Sequence, residues 1–296
     1  MRNVIPEAFS GIIIVIKERD VKSGDIVNQI LKCPVCEASL EITDDKKSAK
    51  CLGKKTHCFD FSAGGYLSLS GTGKGDSKEA VAARHGFLYS GYYERAAQAV
   101  CDTVKAYVGE DPTVIDAGCG EGYYTSMLAR QSGTVLGFDL SKHACLCASK
   151  QARREGLQNL LYATASVFKL PVKDGVADAV VNVFAPCAEE EYSRVLRDGG
   201  YLFVVGAGKD HLMGLKRALY DEVYENTERA DLPQKMTHVE TVTCSYTETV
   251  IGREHIDALF SMTPYYWRTS EGDKHKLSSL GELTTQIEFE INVYKK

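Results

Sequence analysis

The spacing of apolar residues changes rhythm several times along this chain. Beyond residue 111, short apolar runs at 113–116, 134–139, 160–163, 177–183 and 200–206 alternate with helix-period segments at 123–131, 142–155, 189–196 and 211–224. Runs this short and this apolar, separated by helices, predict strands buried on both faces of a mainly parallel sheet. The end of the chain differs. Residues 241–251 and 284–294 alternate polar and apolar side chains around a helix predicted at 253–262, which predicts a closing antiparallel pair.

The front half reads differently. A strand is expected at 11–16 and a short helix at 25–31, before a cysteine-rich, turn-rich stretch from Lys32 to Ser70. Gly71 to Ser77 has the composition of a linker or mobile loop. Helical periods follow at 77–89 and 92–108, the second lining up Ala96, Ala97, Val100, Val104 and Tyr107. The chain is therefore divided into an extension (1–30), a metal-ribbon module (31–70), a linker with helices (71–110) and an α/β domain (111–296). No internal repeat is visible.

Composition narrows the class. With 296 residues and 44% hydrophobic content, the chain can bury one large core and a satellite. No apolar run reaches the roughly 20 residues of a membrane span, and Glu7 with Lys17 to Asp20 spoils a signal-peptide reading of Ile12 to Ile16. A cytoplasmic protein without membrane contact is expected, its ten cysteines reduced. The net charge of -5 argues mildly against nucleic acid. Lys46, Lys47, Lys50, Lys54 and Lys55 nevertheless form a local basic cluster, which reads equally well as a solvated loop.

Two motifs carry chemistry. Asp116-Ala-Gly118-Cys-Gly120-Glu121-Gly122-Tyr123-Tyr124 follows an apolar strand and opens a helix, the place where glycines let a backbone approach a nucleotide. Its G-x-G-x-G spacing, directly after a strand-ending acid, favours S-adenosylmethionine over a dinucleotide. Asp139 ends the next strand, beside Leu140, and is the candidate for the ribose hydroxyls. Ser166 and Asn182 stand where adenine and the methyl acceptor are expected at the same sheet edge. The second motif is Cys33-Pro-Val-Cys36 with Cys51 and then His57-Cys58. Two such knuckles make a closed, structural zinc site. The interval from Cys51 is long, so either His57 or Cys58 is the fourth ligand; a redox C-x-x-C lacks its usual context.

Taken in order, Cys33-x-x-Cys36, Cys51, His57-x-Phe-Asp60, Gly65-Tyr66, Gly75-Asp-Ser77, Phe87-Leu88, the Gly118 to Tyr124 loop, Ala185-Pro-Cys187, His211-Leu-Met213, Leu215-Lys216, Met262-Thr-Pro264 and Trp267 resemble a known family. It is that of the bacterial 23S rRNA (guanine-N1)-methyltransferases of the RlmA type. The similarity runs from about Lys32 to the C-terminus. It implies a class I, Rossmann-like S-adenosylmethionine methyltransferase with a seven-stranded sheet and an N-terminal zinc ribbon. It also implies a homodimer whose cleft holds a 23S rRNA hairpin in domain II, with one branch of the family linked to macrolide resistance. By resemblance His57 is the fourth zinc ligand, and Tyr93 and His211 contact the cofactor. The first thirty residues have no counterpart in the family.

Methylation at guanine N1 needs a proton removed, and the sequence names no base. Glu189, Glu190 and His211 are candidates by location, although glutamates at a helix start more often serve the helix dipole, and Asn182 is a catalytic candidate for orienting the guanine edge. The carbonyls of Phe184 and Ala185 are candidates to orient the guanine edge. Three other readings compete: a cytosine-C5 methyltransferase with Cys187 as nucleophile, a small-molecule methyltransferase, and a non-catalytic rRNA-binding scaffold.

Overall fold

The computed structural model describes residues 23–70, 75–227 and 229–296. The strand expected at 11–16 and part of the linker lie outside these described residues. Five parallel strands form the centre: β5 (Thr113–Ala117), β6 (Thr134–Asp139), β7 (Leu160–Thr164), β8 (Ala177–Val183) and β9 (Leu196–Ala207). β10 (Thr237–Ile251) and β11 (Glu282–Lys295) close one side, with β11 inserted antiparallel between β9 and β10. The expected seven strands are all present. An eighth, β4 (Leu67–Ser68), comes from the cysteine-rich segment and pairs parallel with β7. The order is β10-β11-β9-β8-β5-β6-β7-β4, so the winding reverses at β5.

Strand pleat sorts the core onto two faces. Val114, Val135, Ala179, Val181, Phe203 and Val205 face one cluster, where α3 (Glu94–Tyr107), α4 (Tyr123–Ala129), α7 (Met213–Leu219) and α8 (Arg253–Ser261) pack. Ile115, Leu136, Phe138, Leu161, Val180 and Val204 face the other. The front module joins that second cluster through Val27 and Ile30 of α1 (Ser23–Ile30), with Leu31, Leu40, Ala49 and Leu67. Leu31 also bridges to Val172, and Lys32 N–H donates to Pro171 O at 2.9 Å. The module, built on the three-stranded sheet β1 (Leu40–Ile42), β2 (Ser48–Cys51) and β3 (Cys58–Asp60), therefore shares a core with the large sheet.

Most expected helices appear within a residue or two: α2 (Lys78–Leu88), capped by Ser77, α5 (Lys142–Arg154), capped by Ser141, and α6 (Glu189–Val195). One is shorter. The helix expected at 211–224 is only Met213–Leu219, because Leu212 adopts a left-handed conformation (φ 59°) and Tyr220 is extended. One was not anticipated: α9 (Glu271–Leu277) buries chiefly Leu277 and is set by Ser270, whose Oγ accepts from Asp273 N–H. Among the described residues no helix is long and apolar enough to cross a membrane.

Candidate active site

Ligands of open α/β sheets bind beyond the carboxyl ends of the strands where the winding reverses. Here β5, β6, β7, β8 and β9 all end on one cavity of about 710 Å³. Its floor is the turn after β5. Gly118 has φ 87°, and a Cβ there would lie 2.5 Å from that of Ala185, so no side chain fits. Gly118 N–H and Cys119 N–H both donate to Phe138 O, at 2.8 and 3.0 Å, tying the turn to the neighbouring strand. Asp139 reinforces the tie. Its Oδ2 accepts from Gly120 N–H at 3.0 Å and its Oδ1 from Ser141 N–H at 2.7 Å. Burial pushes the Asp139 carboxyl up, against these backbone donors.

The residues singled out from sequence separate into two groups. Tyr93, Gly118, Gly120, Glu121, Tyr124, Asp139, Leu140, Ser166 and His211 line the cavity. Asp116, Gly122, Tyr123 and Asn182 do not. Asp116 is buried behind the turn, where Thr125 Oγ1 donates to it at 2.6 Å. Gly122 starts α4 with φ 80° and packs on Tyr162, and Tyr123 turns into the core. Asn182 is fully buried, its Nδ2 directed at Ala117 O, Pro186 O and Tyr192 Oη at 3.1–3.3 Å. These four buttress the wall from behind.

The base candidates fare differently from one another. Glu189 faces away from the cavity and accepts from the N–H groups of Gln234, Lys235 and Met236 at 2.5–3.0 Å. Burial opposes its charge, but those three donors hold its carboxyl below the usual range. Glu190 is paired with Lys235 on the surface. His211 is in the cavity wall, yet Glu288 N–H donates to its Nδ1 at 3.1 Å, so the proton sits on Nε2. Burial, with a smaller contribution from Lys216, draws its pKa down to about 3. An imidazole with its lone pair already engaged is a neutral N–H donor here, not a base. It stacks on Phe184, whose φ of 51° presents the ring at 48% exposure.

Other residues that line or brace the cavity gave no periodic or charge signal in the sequence, although Gly75-Asp-Ser77 stands among the residues of the family resemblance. Arg84 on α2 donates to Glu121 Oε2 at 2.5 Å and to Asp76 Oδ2 at 2.7 Å, walling the cavity beside Gly120. Gly75 and Asp76, read as linker, lie in the wall because Asp76 O accepts from Ser141 Oγ at 2.8 Å. Arg229 braces the acceptor loop through Ala185 O at 2.8 Å and Val205 O at 3.1 Å. Only a fold brings such cations to their partners. Cys187 lies beyond the cavity wall, and burial pushes its thiol up to about 11, unlike an activated nucleophile.

In the front module, the ligand atoms of Cys33, Cys36, Cys51 and His57 all lie within 4.8 Å of one another. Cys36 Sγ to Cys51 Sγ is 3.6 Å, and His57 Nδ1 is 3.6 Å from Cys33 Sγ and 3.3 Å from Cys51 Sγ. Zinc bonds of about 2.3 Å to sulfur and about 2.0 Å to nitrogen place tetrahedral ligands about 3.5–3.8 Å apart, which this set fits. Burial opposes ionisation of Cys51, yet N–H groups of His57 and Gly53 with the His57 ring hold its thiol down at about 6. Cys58 opens β3 and is exposed outside the cluster.

A reversed seventh strand, a glycine turn at the switch point and an acid ending the second strand define a class I S-adenosylmethionine-dependent methyltransferase. The family model described as "Methyltransferase domain" matches residues 115–204. The chain belongs to the 23S rRNA (guanine-N1)-methyltransferase family. It is 30% identical to the 23S rRNA (guanine(748)-N(1))-methyltransferase of Streptomyces fradiae, over 90% of this chain and 97% of that one. YxjB of Bacillus subtilis (strain 168), provisionally named a 23S rRNA (guanine-N(1)-)-methyltransferase, is 28% identical over 86% of this chain and 92% of its own. Among solved structures, the YcgJ protein of Bacillus subtilis aligns with 67% of this chain and 98% of its own at a TM-score of 0.47 and 14% identity.

Proposed function

We propose that this protein methylates N1 of a guanine in a domain II hairpin of 23S rRNA, using S-adenosylmethionine. The observation that carries the reading is the near full-length similarity to the Streptomyces fradiae relative, whose name gives that reaction. The cavity suits it. Bound along the glycine turn, S-adenosylmethionine supplies an electrophilic methyl group. Asp139 would accept the ribose hydroxyls, and Arg84, paired with Glu121 and Asp76, would close the amino-acid end. Phe184 offers a ring face on which a base stacks, and Arg229 fixes the Ala185 carbonyl of its loop. Positioning of this kind supplies a large share of a transfer rate.

Cys33, Cys36, Cys51 and His57 would hold one zinc ion, which closes the module without entering the chemistry. Beside it Lys46, Lys47, Lys50, Lys54 and Lys55 give a basic surface suited to an RNA backbone. We further propose a cytoplasmic homodimer whose cleft receives the hairpin. Cytosine-C5 methylation is disfavoured by the raised thiol and outward position of Cys187.

The test is primer extension across 23S rRNA from cells with and without the gene, since an N1-methylguanine stops the polymerase. A gene-dependent stop at one guanine is expected. Identical stop patterns in the two strains would remove the proposal.

A further inference from the structure

The cofactor end of the cavity carries carboxylates; its acceptor end carries an ammonium. Lys216, on α7, enters the wall with Phe184, Ala185, Pro186 and His211. Its Nζ donates to Asn226 Oδ1 at 2.7 Å and to Tyr224 O at 3.0 Å. Asn226 is itself fixed, its Nδ2 donating to the carbonyls of Gly208, Lys209 and His211 at 2.8–3.3 Å. An ammonium has three hydrogens. Two are placed by this scaffold, which leaves one for a ligand. Among the described residues no carboxylate pairs with Lys216. The charged groups on neighbouring elements face one another instead, Lys209 with Glu225 at 3.1 Å and Lys276 with Asp221 at 3.4 Å. The titratable group beside Lys216 is His211, which is neutral. Burial alone draws the Lys216 ammonium below the ordinary lysine value. A partly buried cation without a counter-charge is disfavoured to the extent that it gives up hydration. A ligand that brings negative charge would offset that cost.

We propose that Lys216 binds O6 of the target guanine and stabilises the negative charge that gathers there as N1 loses its proton, making it a catalytic residue of the transfer. This rests on the guanine-N1 reading above. The N1 proton passes to water, and the electron pair left behind is shared between N1 and O6. That pair forms the N1–CH3 bond while the S–CH3 pair departs onto sulfur, leaving neutral 1-methylguanine and a neutral thioether. Such a site has no need of the side-chain base that Glu189 and His211 fail to supply. It works as an oxyanion hole does, with a fixed donor aimed where charge develops. The same ammonium selects among bases. Adenine presents an amino group where guanine presents O6, and its N–H donors would face the ammonium unpaired.

The experiment measures single-turnover methyl transfer to a 23S rRNA transcript by the full-length protein and its Lys216→Met and Lys216→Arg variants, across neutral to alkaline pH. Removing one oxyanion donor costs about 100- to 1000-fold in rate. Lys216→Met is expected to lose that much at neutral pH with KM for RNA little changed. The deficit should shrink as rising pH ionises the guanine unaided, and Lys216→Arg should keep most of the rate. A Lys216→Met rate equal to wild type, or a loss uniform across pH, overturns the proposal. Should Lys216→Met fail to bind cofactor in calorimetry, Lys216→Arg decides: a cofactor-binding but inactive arginine variant also overturns it. Wild-type protein that forms no 1-methylguanine would instead overturn the guanine reading itself, a result no variant can mimic.

Discussion

Thr125 Oγ1 donates to Asp116 Oδ2 at 2.6 Å in a spot where both residues are 1% exposed or less. Burial pushes the Asp116 pKa up to about 7, against that hydrogen bond, with Asp139 and Glu121 adding repulsion. The folded state thus holds a proton on Asp116 between the ordinary value of 3.8 and about 7, whereas the unfolded chain has released it. Stability from this residue falls as pH rises through that window and levels off above it. Asp116→Asn keeps an acceptor for Thr125 and removes the titration. Its melting temperature relative to wild type should be higher above pH 7 than near pH 4, by differential scanning fluorimetry. A pH-independent difference would contradict the buried carboxyl.

Asp139→Ala should weaken S-adenosylmethionine binding by about 100-fold, the loss of two charge-assisted hydrogen bonds of about 1.5 kcal/mol each. The same carboxylate holds Gly120 N–H and Ser141 N–H, so Asp139→Asn should fall between the two. Calorimetric titration with the cofactor checks both. An unchanged affinity in the alanine variant would remove the ribose role.

Metal content separates the two neighbouring candidates for fourth ligand. Wild type and Cys58→Ser should each carry one equivalent of zinc, whereas His57→Ala and Cys36→Ser should lose it. Because the module shares its core with the large sheet through Leu31, Leu40 and Leu67, metal loss should lower one common melting transition. Two separate transitions would show the module to be autonomous.

His211 gives a pH effect of opposite sense to Asp116. Its folded pKa of about 3 lies below the ordinary 6.5, so the unfolded chain binds the extra proton between those values. Stability from this residue is complete above 6.5 and is lost as pH falls towards 3. His211→Asn keeps an acceptor for Glu288 N–H and should flatten that part of the acid-denaturation curve. A curve as steep as wild type would mean that His211 is protonated in the fold.

The sheet was legible because its strands are buried on both faces. Runs such as Ala177–Val183 leave no period for a helix, and β6 and β8 begin and end where the apolar run does. Asp139 was legible for a related reason, as a lone acid ending such a run. Short elements were not. β1 to β4 span two to four residues each, too few to show alternation. α9 was announced only by the Ser270-x-x-Asp273 cap. Arg84 and Arg229 are single cations whose contacts with Glu121 and with the Ala185 carbonyl span 37 and 44 residues, and Lys216 is held by Tyr224 and Asn226 across an irregular turn that no periodicity announces. Residue spacing left His57 and Cys58 open and the family resemblance favoured His57; the structure places His57 in the cluster and leaves Cys58 exposed at the start of β3.

The pairing of Leu31 with Val172 and the docking of β4 against β7 have a consequence for the order of assembly. The segment from α1 to β4 leaves the ribosome before the strands it rests on, Leu31 lying 141 residues ahead of Val172 and β4 well ahead of β7. Its four ligands can gather early, but its apolar side stays wet until β7 and Val172 have been synthesised and the intervening loop has closed. During synthesis the amino-terminal segment is therefore a guest waiting for its host, and metal capture in that interval would keep its cysteines from straying.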